Sequence, residues 1–236
     1  MPSLIDSASA VLLSAERSLE ASSQNIANAS TKGYKKQISF KDALNSAETE
    51  PYELATLKSL VDFTQGRLTE TGKPLDLAIF GPGLLQLRDD DHFVYSRGGS
   101  FVRSEDGLVT DADGRVLQQA GGGDLELKGE TVGILEDGTV LEDGTPTGRL
   151  GLYEMSDASA LTALGGSAFT ADRAAMSDAT GSQLRQGFIE NSNVVMSDEM
   201  LSMMTSVRQA ESGGRLVQFY DELIGQAITT FSRSGK

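Results

Sequence analysis

The chain's one histidine, His92, follows three aspartates in Asp89-Asp90-Asp91-His92, a donor set that would suit a divalent cation. Consecutive residues of an extended chain alternate between two faces, so these four do not converge on one ion. An acidic solvated turn is the better reading. Asp111-Ala112-Asp113-Gly114 has the opening of a calcium loop. However, Arg115 takes the fifth position, Val116 the sixth, where glycine is required, and Gly122 the twelfth, where a bidentate glutamate belongs. That stretch reads as a hairpin. Gly81 and Gly83 flank Pro82 with no Lys-Ser/Thr after them, and Gly121-Gly122-Gly123 opens no helical pattern, so neither cradles a phosphate. The chain has no cysteine, and its serines have no base near them in sequence, because the single histidine lies among acids. No enzymatic activity, metal or cofactor is expected.

Composition narrows the choice of partners. Among 236 residues, 34 are acidic and 20 basic, a formal charge of -14, and no Lys/Arg cluster is present to neutralise a phosphate backbone. Nucleic acid is therefore excluded as the expected partner. No apolar run approaches the ~18 residues a membrane helix needs, so direct membrane insertion is not expected. The first residues, MPSLIDSASAVLLSAERS, carry Asp6 and no Lys or Arg ahead of a weak apolar patch. They lack the basic start of a cleaved signal peptide. The expectation is a cytosolic protein, or one that leaves the cell by a route without signal cleavage. The 26 glycines point to many turns.

The elements that must carry any function are two helices around a strand-rich middle. From Leu4 to about Ala27, Ile5, Leu12, Leu19 and Ile26 recur every seven positions. Ala8 and Ala15 stand three residues after the first two, so a narrow heptad stripe has a second row of only alanine and serine. At the other end Met196, Met200, Met203, Val207, Ala210, Gly214 and Val217 alternate at spacings of four and three, and Tyr220, Ile224, Ala227 and Phe231 continue the stripe. Gly213 and Gly214 interrupt it at ~1 kcal/mol each relative to alanine, and small residues there would let another helix approach closely. Between the helices stand four hairpin-type pairs, Asp106-Gly107, Asp113-Gly114, Asp137-Gly138 and Asp143-Gly144, each beside short runs of Val, Leu and Thr. The reading is α+β: N- and C-terminal helices paired as a coiled-coil-like inner domain, and an antiparallel β-rich outer domain between them. The β domain is expected over roughly residues 60–180, with polar linkers at 45–51 and 174–183. By segment, residues 1–45 hold the first helix and an extended stretch, 46–183 the β-rich domain with its linkers, and 184–236 the last helix.

The first helix ends in SQNIANASTKGYK (residues 23–35). As a cap this is overbuilt, since Asn28 and Gly33 alone would satisfy the last carbonyls and reverse the backbone. The segment resembles the N-terminal signature of flagellar axial proteins, whose rod and hook members carry a pattern close to Asn-Asn-Leu-Ala-Asn-x-x-Thr-x-Gly-Phe-Lys. Gln24 stands for the first asparagine and Tyr34 for the phenylalanine. FTQGRLTETGKPLDLAI (63–79) is similar to that family's Gln-Gly-x-Leu-x-x-Thr-Gly-x-Pro-Leu-Asp-x-Ala-Ile block, and GFIENSNV (187–194) to its Gly-x-Leu-Glu-x-Ser-Asn-Val block. One departure is Gly81-Pro82-Gly83-Leu84-Leu85, where the family usually has Gly-Asp-Gly-Phe-Phe. The modest length and the short link before Phe63 are most similar to proximal-rod members, with distal-rod members the nearest rival.

The resemblance implies a structural subunit without catalytic residues or cofactor, whose partners are copies of itself, other rod proteins and the flagellar type III export apparatus. It implies a place in the rod of the basal body, in the periplasmic space. Head-to-tail contacts that do not close would build a tube from one repeated surface. The assembly interface is expected at Ile5, Leu12, Leu19, Asn25, Ile26, Asn28 and Gly33, at Asn191 and Asn193, and at Met200, Met203, Val207, Val217, Tyr220, Ile224 and Phe231. Asn25 and Asn28, with Ser30 and Thr31 beyond them, are expected to hydrogen-bond to neighbouring subunits or to the returning chain around Asn191-Ser192-Asn193. The rival reading from a different class is a soluble β-domain binding module whose helices form a closed coiled-coil oligomer.

Overall fold

A computed structural model describes residues 4–38, 60–155 and 161–234. The expected linker at 45–51 lies outside them. The chain divides into two compact units, one holding both long helices and the other formed by Ala27–Gln37 with the described part of Leu57–Val194.

In the helical unit α1 spans Leu4–Ala27, free of glycine and proline, and α2 spans Met196–Ser234. Asp198 and Glu199 in the first turn of α2 complement the positive end of its dipole. Ser22 Oγ donates to Ser202 Oγ at 3.1 Å, and Asn25 Nδ2 donates to Glu199 Oε2 at 3.1 Å. Further along, a Cβ on Gly213 would stand 3.0 Å from Leu12 Cγ. Positions rising along α1 thus meet positions falling along α2, so the two helices run antiparallel.

The buried row of α1 is Ala8, Ala15, Ser18, Ser22 and Asn25, and that of α2 includes Glu199, Ser206 and Gly213. The heptad aliphatic residues expected at the centre are displaced: Leu12, Leu19 and Ile26 are half-buried flanks. Small side chains let the backbones approach, whereas a central row of leucines would hold them apart. On α2 the expected stripe splits in the same way. Met203, Ala210, Gly214, Val217 and Tyr220 are half-buried, while Met196, Met200 and Val207 face outward.

The second unit is built from short strands. They are β1 (Gln37–Ile38), β2 (Leu60–Val61), β3 (Leu68–Glu70), β4 (Asp76–Phe80), β5 (Leu84–Asp89), β6 (His92–Ser96), β7 (Gly98–Ser100), β8 (Val102–Arg103), β9 (Val109–Thr110) and β10 (Val116–Leu117). There follow β11 (Val132–Ile134), β12 (Thr139–Glu142), β13 (Thr145–Arg149), β14 (Leu152–Met155), β15 (Thr162–Gly165), β16 (Ala168–Thr170), β17 (Met176–Asp178), β18 (Gln183–Gln186) and β19 (Phe188–Glu190). The largest sheet runs β15-β16-β6-β5-β10-β9-β8, with β14 also on β5 and β17 on β14. Smaller sheets are β11-β12-β13, β18-β4-β7, β19-β3 and β1-β2. The registered pairs are antiparallel.

The four Asp-Gly pairs fall where short connections need them, at β8/β9, β9/β10, β11/β12 and β12/β13. Asp143 and Gly144 both take positive φ, 49° and 81°, as a two-residue hairpin turn with the sheet's right-handed twist requires. Asp90, at φ 50°, turns β5 into β6, and His92 sits exposed beside it, paired with Asp89. The stretch 174–183, expected as a linker, instead contains β17, paired with β14. Its Met-Ser-Asp sequence has no apolar alternation to reveal a strand.

Strand β5 separates two cores. Leu85 and Leu87 join Leu77, Ile79, Leu117 and Leu150 on one face, and Leu84 joins Tyr95, Leu161 and Phe169 on the other. Both faces of β5 are covered over Leu84–Leu87, where the Leu84 face also buries Gln86, and the strand turns polar only at Arg88 and Asp89. Each such leucine contributes about 1.5–3 kcal/mol by leaving water.

Candidate assembly interface

Three distant segments of the β unit close on one carboxylate. Glu190 ends β19 beside β3, and its Oε1 accepts Lys35 Nζ and the Gly66 N–H, each at 2.7 Å. Its Oε2 accepts Arg97 Nε at 3.1 Å and lies 3.1 Å from Arg97 Nη2. The Glu190 carbonyl takes the Gly33 N–H at 2.7 Å. Lys35 Nζ also reaches the Thr64 carbonyl at 2.6 Å. The remaining Arg97 donors go to the carbonyls of Ile79, Gly81 and Gly83. Glu190, Lys35 and Arg97 are almost wholly buried. Burial pushes the Lys35 ammonium and the Arg97 guanidinium down, against the opposing pull of Glu190. The charges persist because each is hydrogen-bonded in place, which an unpaired buried charge could not be.

The glycines of this junction are there for contact. Gly33 holds φ +71° while its α-carbon faces Gly98 O, and a Cβ on Gly66 would overlap Asn191 O. The Gly81-Pro82-Gly83 departure supplies two carbonyls to Arg97, and its Gly83 N–H donates to Ser182 Oγ at 2.8 Å.

The four asparagines expected at the interface all make hydrogen bonds within the chain. Asn193 accepts the Lys36 N–H at 2.7 Å and donates to the carbonyls of Asp62 and Thr64. Asn191 donates to Thr69 Oγ1 at 3.0 Å. The returning chain is therefore bound by Gly33, Lys35 and Lys36. Asn25 donates to Glu199, and Asn28 accepts Thr31 Oγ1 at 3.1 Å, closing the turn after α1. Side chains of Ile5, Ile224 and Phe231 lie outside the described residues. Sequence reasoning missed Arg97 and Glu199. The only signal for Arg97 was a lone cation inside the run VYSRGGSF (94–101).

Where a calcium ion was weighed, the Arg115 guanidinium lies among the carboxylates, 2.7 Å from Asp113, 3.1 Å from Asp89 and 3.4 Å from Asp111. Among the described residues no group of three or more His, Cys, Asp or Glu could hold a metal.

What the molecule does present is surface. On α2, Met196, Met200, Met204 and Val207 stand four, four and three residues apart with 46%, 46%, 61% and 42% exposure, beside the half-buried Met203. Leu201, Leu216, Phe219 and Leu223 are exposed as well. Helix α2 thus carries an exposed apolar face, as a subunit built to pack against others would.

Residues 185–230 match the family described as Flagellar basal body rod FlgEFG protein C-terminal. The flagellar basal-body rod protein FlgF of Caulobacter vibrioides is 31% identical over 227 residues, 90% of this chain and 91% of that one. FlgF of Mesorhizobium japonicum is 27% identical over 221 residues, 91% and 92% of the two chains. The rod protein FlgG of Bacillus subtilis is 25% identical over 248 residues, 89% and 92%. The chain belongs to the flagellar basal-body rod protein family, and it is a structural rod subunit, not an enzyme.

Proposed function

We propose that the chain is a subunit of the proximal rod, a part of the drive shaft that assembles helically through its terminal helices and is exported by the flagellar type III apparatus without signal cleavage. In this reading α1 and α2 pack as a coiled-coil-like axial domain, and the β unit stands outside it in the periplasm. The observation that carries it is the outward row Met196, Met200, Met204 and Val207, an apolar face that a free monomer has no use for. Copies of this chain and other rod subunits cover it, through a contact that repeats without closing. Asn25, Ser22 and Leu12 serve that contact indirectly by fixing α2 against α1.

Alignment length favours the proximal part. Nine-tenths of this chain aligns with the two FlgF relatives over 227 and 221 positions, but with the FlgG relative over 248, so the FlgG chain carries inserted residues this one lacks. Locating the labelled protein in purified basal bodies tests the reading. Signal at the inner end of the rod, away from the hook, is expected. Signal beside the hook would assign it to the distal rod, and recovery only as a small soluble oligomer would sink the rod reading altogether.

A further inference from the structure

Four of the chain's seven methionines, Met196, Met200, Met203 and Met204, fall within nine residues of α2. Three of them are exposed, while Met155 and Met176 pack partly buried against the second core of the β unit. The chain has no cysteine, so no thiol competes with these thioethers for an oxidant. Unhindered thioether sulfur is readily attacked by peroxide.

We propose that Met196, Met200 and Met204 form an oxidation site that turns off the α2 assembly face of the free subunit. The proposal rests on the rod reading for its consequence. In each step a sulfur lone pair attacks one oxygen of hydrogen peroxide and the O–O bond breaks. The oxygen stays on sulfur as the sulfoxide, and the departing hydroxide takes the proton of the transferred oxygen and leaves as water. Sulfur loses two electrons and the peroxide gains them. The product is a polar S=O group in the middle of an apolar row, which must give up its water if the face is to be covered. Subunits already assembled keep their sulfurs covered, so the oxidant acts on unassembled chains.

The test treats the purified full chain with hydrogen peroxide, maps the added oxygens by peptide mass, and measures binding to basal bodies isolated from cells lacking this protein. Met196, Met200 and Met204 are expected to gain oxygen before Met155 and Met176, and binding to fall at least about tenfold. The Met196→Leu/Met200→Leu/Met204→Leu variant keeps an apolar row and is expected to bind equally with and without peroxide. Equal oxidation rates at all described methionines, undiminished binding of oxidised wild type, or peroxide sensitivity of the leucine variant would overturn the proposal. The Met196→Gln/Met200→Gln/Met204→Gln variant separates the two readings. If it binds normally, the α2 face is not the assembly surface and the rod contact itself is misplaced. If it fails to bind while oxidised wild type binds normally, only the oxidation site falls.

Discussion

The Glu190 carboxylate lies 2.7 Å from the Lys35 ammonium, with both side chains 1% exposed, although 155 residues separate them. Arg97 approaches the other oxygen of the same carboxylate. One anion therefore holds together the segment after α1, the Gln65-Gly66 stretch, Arg97 and the strand that leads to α2.

Removing that anion leaves two buried cations facing each other. Glu190→Ala is expected to lower the stability of the β unit by about 3–5 kcal/mol, the usual cost of breaking a buried pair from one side. Replacing all three, as Lys35→Met/Arg97→Met/Glu190→Leu, is expected to recover much of the loss, because no charge is then left uncompensated. Urea unfolding of the three proteins checks this. A triple variant no more stable than Glu190→Ala would mean that the hydrogen bonds to backbone, not the charges, govern the junction.

The neighbouring glycines of α2 should respond oppositely to alanine. Nothing lies within 4 Å of a Cβ on Gly214, so Gly214→Ala is expected to stabilise the helical unit by up to ~1 kcal/mol through helix propensity. A Cβ on Gly213 meets Leu12 Cγ at 3.0 Å and Cδ2 at 3.1 Å, so Gly213→Ala loses that gain and Gly213→Val separates the helices. Thermal melting followed by helical circular dichroism ranks the variants. Equal gains at both positions would mean that α1 does not lie against Gly213.

Acid sensitivity has an identifiable contributor. Arg88 grips Asp124 with two hydrogen bonds, 2.9 and 2.7 Å, and holds its carboxyl below the ordinary value of 3.8. A depressed carboxylate stabilises above its unfolded value and loses that contribution as pH falls through the folded one. Asp124→Asn is thus expected to unfold at lower urea than wild type at pH 7, with the gap narrowing below pH ~3.8. Both side chains are about a third exposed, so solvent screening keeps the effect small. A gap that stays constant with pH would assign the loss to packing.

Local chemistry was legible in the sequence. Asp-Gly pairs specify hairpins through two adjacent residues, and both long helices follow from spacing alone. Which row of α1 faces α2 was not, because periodicity marks the large apolar residues, and close packing of two backbones selected the smaller Ala8, Ala15 and Ser22 instead. Short strands such as β17 carry too few residues to show alternation. The junction at Glu190 joins residues 93 and 155 positions apart, and no local pattern announces such a pairing. The motif blocks did mark two of its three members, Lys35 and Glu190. Arg97 lay outside every block, so its role emerged only from the fold.

The central claim is that the outward face of α2 is where the rod assembles. Met200→Asp/Val207→Asp tests it most directly, since both side chains already face water at 46% and 42% exposure and the change leaves the folded subunit intact. Incorporation into basal bodies and swimming are measured beside the melting of the purified chain. Incorporation and motility are expected to be lost while melting is unchanged. Normal incorporation of this variant would contradict it.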